Sequence, residues 1–321
     1  MRPGLNTCQL LVEEIAVTAP GQLRPRLEHI MGRKGKRVRA TMMLLIADTG
    51  IQTETPESLE RKARVAAGLE MLHLASLVHD DVIDESELRR GIFTANAEWG
   101  NKMAVLVGDY ILSKSMELVV SEPDRRIPAI LSQASSRLVA GEVLEMDLAG
   151  KLDASYEEYQ AVIEGKTASL FEASGRCGAI LAGHDAPLVD ACGELGRHFG
   201  ITFQIVDDLL DFGVGAGDLG KATFSDLANG VITLPLVLFF ADCSTADRVK
   251  MTELLQSAGR EEPGAAESAK NFLDQHGVFD RVLESAMGHM KAAMGILDRL
   301  PTGVARNILA EVCNAMVHRS H

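Results

Sequence analysis

Apolar side chains recur every three to four positions through most of the chain, which is the spacing that lines one face of an α-helix. The pattern runs through ATMMLLIADTG (40–50), KARVAAGLEMLHLASLVHD (62–80), MAVLVGDYILSKSMELVV (103–120) and IPAILSQASSRLVAGEVLEMDLA (127–149). It continues through EEYQAVIEGKTASLFEASGRCGAILAG (157–183), ACGELGRHFGITFQIVDDLLDFG (191–213), TLPLVLFFAD (233–242) and FDRVLESAMGHMKAAMGILDRL (279–300). Strand-like alternation is scarce. Helix-breaking residues fall between these stretches, at Glu122–Asp124, Gly183–Pro187 and Gly213–Gly220. No break is long enough for a domain linker, and no short-period repeat is present. The pattern predicts a single all-α domain over 1–321, a bundle of roughly ten or more helices.

Composition sharpens this. Of the 321 residues, 46% are hydrophobic and 4% aromatic, so the core must be filled mainly by Leu, Val, Ile, Ala and Met, a balance that favours helix. The formal net charge of −13 leaves no general basic face for a phosphate backbone and argues against nucleic-acid binding. The five cysteines, Cys8, Cys177, Cys192, Cys243 and Cys313, form no CxxC pair and sit mostly in apolar helical contexts. Buried reduced thiols and a cytoplasmic address follow. Glu13 and Glu14 interrupt the first apolar stretch, so the N-terminus makes a poor signal peptide. The longest uncharged run, Leu227–Ala241, is too short to span a membrane and contains Pro235.

Two stretches gather like charge. SLVHDDVIDESELRRG (76–91) places Asp80, Asp81 and Asp84 with DDxxD spacing at the end of an apolar helix, and FQIVDDLLDFG (203–213) repeats the arrangement at Asp207, Asp208 and Asp211. On a helix each triad spans an arc of about 100°. One such cluster could be an ordinary solvated face, but two in similar settings point to shared work. Carboxylates gathered around one cavity either take up protons or bind cations, and hard divalent ions suit an all-oxygen set. Mg²⁺ fits when a phosphate completes the shell, whereas neither stretch matches an EF-hand. Phosphate then needs cationic donors, available at Lys36, Arg37 and Arg39, at Arg89 and Arg90, at Lys166 and at Lys221.

With these pieces in place, the chain resembles the trans-isoprenyl diphosphate synthases (polyprenyl synthetases). The likeness is carried by GKRVR, LEMLHLASLVHDDVIDESELRRG, ANAEWGNKMAVLVGDYIL, GEVLEM, GKTASLF, FQIVDDLLDF, LGKATFSDL and GVITLPLVL, in order, from about residue 25 onward; residues 1–24 resemble the family less. The resemblance implies a helical bundle around a deep central cavity, the isoprenoid synthase fold, usually as a homodimer. It implies that an allylic diphosphate primer is extended by isopentenyl diphosphate. Asp80, Asp81, Asp84, Asp207, Asp208 and Asp211 are then expected as ligands to Mg²⁺, three ions bound with the allylic diphosphate. Arg89, Lys166, Gln204 and Lys221 are expected at the allylic diphosphate, and Lys36, Arg39, His73 and Arg90 at isopentenyl diphosphate, with Arg37 as a neighbour. Lys166, Thr167, Gln204 and Lys221 are the expected catalytic side chains. Thr167, Gln204 and the Lys166 carbonyl offer negative dipoles to the allyl cation. The released diphosphate can take the final proton, so no separate protein base is required.

The chain departs from the family pattern at Lys34 and Ala40, at Val231, where many members carry lysine, and at Glu145, where glutamine is frequent. Ala75 and Ser76 lie about one turn before the first triad, where short-chain members carry aromatic plugs. Small residues there leave room for a product longer than farnesyl and beyond geranylgeranyl. The alternatives are a farnesyl- or geranylgeranyl-length synthase, a class I terpene cyclase and a non-catalytic subunit of a heteromeric synthase. The basic set for a second diphosphate and the low aromatic content argue against the cyclase, and two complete triads against the subunit.

Overall fold

The computed structural model describes residues 2–32, 35–50, 55–89, 91–214 and 224–317. Arg90 and Lys221, both expected at diphosphate, lie outside the described residues, as does Lys34. The elements are α1 (Arg2–Thr18), α2 (Arg24–Met31), α3 (Val38–Ala47), α4 (Pro56–Ile83), the hairpin β1 (Leu88–Arg89) and β2 (Ile92–Phe93), α5 (Ala95–Trp99), α6 (Asn101–Val120) and α7 (Arg126–Leu148). Then come α8 (Tyr156–Ile163), a π-helical turn (Glu164–Ala168), α9 (Ser169–Leu181), α10 (Ala186–Asp211), α11 (Ser225–Ala228) and α12 (Leu234–Asp242). The last are α13 (Thr245–Gly259), α14 (Ala265–Gln275), α15 (Val278–Leu297) and α16 (Val304–Val317). The all-α expectation holds. Helix ends fall at the breaks read from the sequence, with α6 stopping before Pro123 and α9 before Pro187. Among the described residues the only strands are two residues each, paired antiparallel with Leu88 opposite Phe93.

The chain forms two compact units, the first comprising residues up to Ser135, Ala173–Gly193 and Leu300–Arg306, the second Ser136–Glu172, Glu194–Arg299 and residues from Asn307 on. In the first unit, α3 beyond its first turn is apolar on every side and buried, from Met42 through Ala47. It packs on α4, a 28-residue helix started by Pro56 and a reciprocal Thr55–Ser58 capping box. Helix α4 also runs along α1 and α6, where Ser115 Oγ donates to the Gly68 carbonyl at 2.7 Å. Glu122, wholly buried, accepts from Arg61 at 3.0 Å and Arg64 at 3.3 Å. A buried carboxylate requires such partners.

The second unit is packed differently. Nine of the ten phenylalanines belong to it (all but Phe93), so rings rather than methionines fill its centre. Phe212 meets Phe279 at 5.6 Å between centroids, and Phe239 meets Phe272 at 5.7 Å. This core fixes the last turns of α10 and the start of α12. Among the described residues no helix is long and apolar enough to cross a membrane.

Candidate active site

The first acidic triad closes α4. Asp80 and Asp81 occupy its last turn and Asp84 is its C-cap, with the Asp84 amide donating to the Asp80 carbonyl at 2.8 Å. Carboxylates at the carboxyl end of a helix face the negative pole of the backbone dipole, an arrangement disfavoured until a cation arrives. The three side chains have different settings. Asp84 is exposed and Asp80 half-buried, whereas Asp81 is 3% exposed and accepts from Arg89 Nε at 2.6 Å. That ion pair ties the hairpin back to α4. Thr94 Oγ1 (2.6 Å) and Asn96 Nδ2 (3.0 Å) fasten the same hairpin through the Ser86 carbonyl.

Within the same unit, Lys36 is exposed in the loop before α3, Arg37 is that helix's N-cap, and Arg39 is half-buried in its first turn. His73 lies on α4, two turns before Asp80, and its carbonyl accepts from Ser76 Oγ at 2.8 Å. Ala75 is buried and Ser76 half-buried.

The second triad closes α10 in the second unit, again at a helix carboxyl end. Asp207 is exposed, while Asp208 and Asp211 are 2% and 7% exposed. Asp208 Oδ2 accepts from the Tyr159 hydroxyl at 2.7 Å and the Leu234 amide at 3.0 Å, and its Oδ1 accepts from Gln204 Nε2 at 3.0 Å. Burial raises the Asp208 carboxyl to about 7 even though those three donors oppose the rise. Asp211 Oδ1 accepts from the Ser225 amide at 2.8 Å and its hydroxyl at 2.9 Å, and Oδ2 accepts the Asp226 amide at 3.2 Å. The N-cap residues of α11 and α12, Phe224 and Thr233, make no side-chain cap of their own. The buried aspartates therefore cap both helices from α10.

Asp226 is a fourth acid here that the triad spacing does not mark. Burial, then Asp211, Asp208 and Glu145, lift its carboxyl to about 7. It stands in the KATFSDL stretch already singled out, so its position was visible but its company was not. Tyr159, read only as part of the helical stretch 157–183, carried no comparable signal. The amide of Val231, the position of the missing lysine, donates to the Asp226 carbonyl at 2.9 Å.

Lys166 and Thr167 sit on the π-helical turn, a bulge common where a helix serves a site. That turn lies directly against α7 because both facing positions are glycine. A Cβ on Gly165 would come within 2.9 Å of the Arg137 carbonyl and of Gly141 Cα, and one on Gly141 would overlap the Lys166 backbone nitrogen. The close approach delivers Lys166 Nζ to Glu142 at 3.0 Å and to Glu145. Burial alone would lower the ammonium's pKa, but Glu145 and Glu142 outweigh it and hold the group above its ordinary value. The glutamate that replaces the usual glutamine thus has a partner. Thr167 Oγ1 donates to Gln204 Oε1 at 2.8 Å, so Thr167, Gln204, Asp208 and Tyr159 form one connected polar chain. Among the described residues, no three His, Cys, Asp or Glu side chains form a ready-made metal cage.

Each acidic triad thus closes a helix, and a lysine and an arginine are held by neighbouring acids. The chain belongs to the polyprenyl synthetase family, whose model matches residues 20–273. It is similar to a short chain isoprenyl diphosphate synthase of Methanothermobacter thermautotrophicus, 32% identical over 96% of this chain and 94% of that one. Other curated relatives at 33–34% identity are an octaprenyl diphosphate synthase of Haemophilus influenzae and component 2 of a heptaprenyl diphosphate synthase of Geobacillus stearothermophilus. A solved decaprenyl diphosphate synthase from Rhodobacter capsulatus superposes with a TM-score of 0.90 at 32% identity, covering 99% of this chain and 96% of that one. A polyprenyl synthase from Caulobacter crescentus, solved with calcium and isoprenyl diphosphate, gives 0.87 at 31% identity, covering 99% and 95%. The fold is thus the all-α isoprenoid synthase fold, and the protein is an enzyme, a polyprenyl diphosphate synthase.

Proposed function

We propose that this synthase condenses isopentenyl diphosphate with an allylic diphosphate primer to a product longer than twenty carbons, and that the named aspartates and basic side chains divide that work. The observation that carries the division is the contrast within each triad. The more exposed Asp80, Asp84 and Asp207 supply the coordinating oxygens, and the buried Asp81, Asp208 and Asp211 fix the helix ends that carry them. An all-oxygen set that is not a complete cage suits Mg²⁺ when diphosphate oxygens fill the remaining positions, three ions in all. Magnesium bound there would neutralise charge that grows on the departing diphosphate.

The chain's own residues do the rest. Arg89 and Lys166, each paired with an acid, exchange that partner for the allylic diphosphate, and Gln204 and Lys221 serve the same substrate. Thr167, Gln204 and the Lys166 carbonyl orient oxygens toward the allyl cation and keep water from it. Lys36, Arg39, His73 and Arg90, with Arg37 nearby, hold isopentenyl diphosphate, whose double bond attacks. The proton released then passes to diphosphate. Ala75 and Ser76 leave the path of the growing chain open.

The functional unit is a homodimer, supported by Val139, Val143 and Met146, exposed at one-turn spacing on α7. A cytoplasmic setting is supported by the cysteines, four of the five being buried. Purified protein given Mg²⁺, labelled isopentenyl diphosphate and farnesyl or geranylgeranyl diphosphate should incorporate label into products longer than twenty carbons, sized by chromatography. Hydrocarbon release without incorporation would instead identify a cyclase. Silence relieved only by another protein would identify a subunit, a reading that Val231 favours.

A further inference from the structure

The basic loop before α3 leads into a helix whose own N-cap residue leaves the first turn open. Arg37, the N-cap of α3, sits in the left-handed region at φ 48° and makes no side-chain cap. An arginine has no acceptor to offer the open amides of a first helical turn. The amide of Ala40, third residue of the helix, donates instead to Glu70 Oε1 at 2.9 Å. Glu70 belongs to α4, one turn before His73. Burial pushes its carboxyl up, opposed by the Ala40 amide and by Arg39 and Arg37. The same carboxylate and Arg37 act on the buried thiol of Cys8, so Glu70 stands where α1, α3 and α4 meet.

A carboxylate at the amino end of a helix meets both the open amides and the positive pole of the dipole. Glu70 and His73 share a rigid helix, about 4.5 Å apart along its axis. We propose that Glu70 is a positioning residue for isopentenyl diphosphate: it caps α3 from α4, attracts Arg37 and Arg39, and so sets the Lys36–Arg39 loop in register with His73. This rests on the assignment of Lys36, Arg39 and His73 to that substrate. Glu70 itself does not touch the diphosphate.

The test is steady-state kinetics with both substrates varied, on the wild type, E70Q, E70D, R39A and E70Q/R39A. E70Q is isosteric and keeps an oxygen for the Ala40 amide, so it removes charge without emptying space. It should raise the KM for isopentenyl diphosphate about tenfold, leaving the allylic KM and the saturated kcat within about twofold. E70D, which keeps the charge, should fall between E70Q and the wild type. E70Q/R39A should be within about twofold of R39A alone, because both act on one loop. Constants for both substrates shifting together, no change in E70Q, E70D worse than E70Q, or effects that multiply would each overturn the proposal. If R39A leaves the isopentenyl diphosphate KM unmoved, the underlying substrate assignment fails instead, whatever E70Q does.

Discussion

Asp207→Ala and Asp208→Ala remove neighbouring carboxylates from one helix turn, yet they should fail in opposite ways. Asp208 accepts from Tyr159, Leu234 and Gln204. Its loss strands two buried donors and one half-buried donor, each worth about 1–3 kcal/mol when left unmade. Gln204 is only half-buried, so its Nε2 can turn to water and the sum settles near the lower end, about 3–5 kcal/mol, large for one substitution. The amino end of α12 should loosen with it. Asp207 is exposed, and its removal should change stability by no more than about 0.5 kcal/mol. It should instead slow turnover by about a hundredfold or more and raise the magnesium concentration needed for half-maximal rate. Urea and thermal midpoints read the first effect, and label incorporation across a magnesium titration reads the second. The reasoning is refuted if Asp208→Ala melts with the wild type, or if Asp207→Ala turns over normally at limiting magnesium.

Ala75 is buried, so Ala75→Phe should both shorten the product and cost about 1–3 kcal/mol by overpacking; chromatography showing unchanged lengths would discard the chain-length role. Glu145→Gln removes one acid from Lys166, freeing the ammonium and reducing repulsion of the primer, so the allylic KM should fall about three- to tenfold; a rise would mean Glu145 positions Lys166 rather than competing for it. His289 shares a 2.9 Å hydrogen bond with His198, and burial, then His198 and Arg197, push it down to about 4. The unfolded chain takes up that proton near pH 6.5 and the folded one resists, so on the order of 1 kcal/mol of stability, the shift being discounted for water at the half-buried ring, should be present above pH 6.5 and drain away toward pH 4. His289→Gln should flatten that segment of the midpoint-against-pH curve.

The helices were legible because apolar spacing needs only a local rule; α4, read from the stretch 62–80, runs over Pro56–Ile83, its start set by Pro56 and a Thr55–Ser58 capping box that apolar spacing does not mark. The two acidic triads were equally plain as motifs. What spacing could not convey is the difference between members of one triad. On a helix wheel Asp80, Asp81 and Asp84 share an arc, but exposure depends on what packs alongside, and Arg89 arrives from a hairpin that the helical pattern hides. Asp208 likewise owes its burial to Tyr159 and Leu234, which lie 49 and 26 residues away. The GEVLEM departure was visible as a change of letter. Its partner, Lys166, emerges only from the glycine-lined approach of the π-helical turn to α7.

One device accounts for several of these surprises. Helices α3, α11 and α12 begin at Arg37, Phe224 and Thr233, none of which caps its own helix. Each is capped instead by a carboxylate from another helix, Glu70, Asp211 or Asp208. A local cap fixes only where a helix starts, whereas a cap supplied from elsewhere also fixes where that start lies relative to the donor helix. The donors here are α4 and α10, the helices that carry the two acidic triads. Loops bearing basic or acidic side chains are thus referenced to the helices that end in the acidic triads, and in a catalytic site misplacement by about 1 Å can cost a hundredfold in rate. The cost is borne in sequence freedom: these carboxylates must be retained for geometry even where they touch no substrate, so their loss should perturb loop placement before it perturbs chemistry.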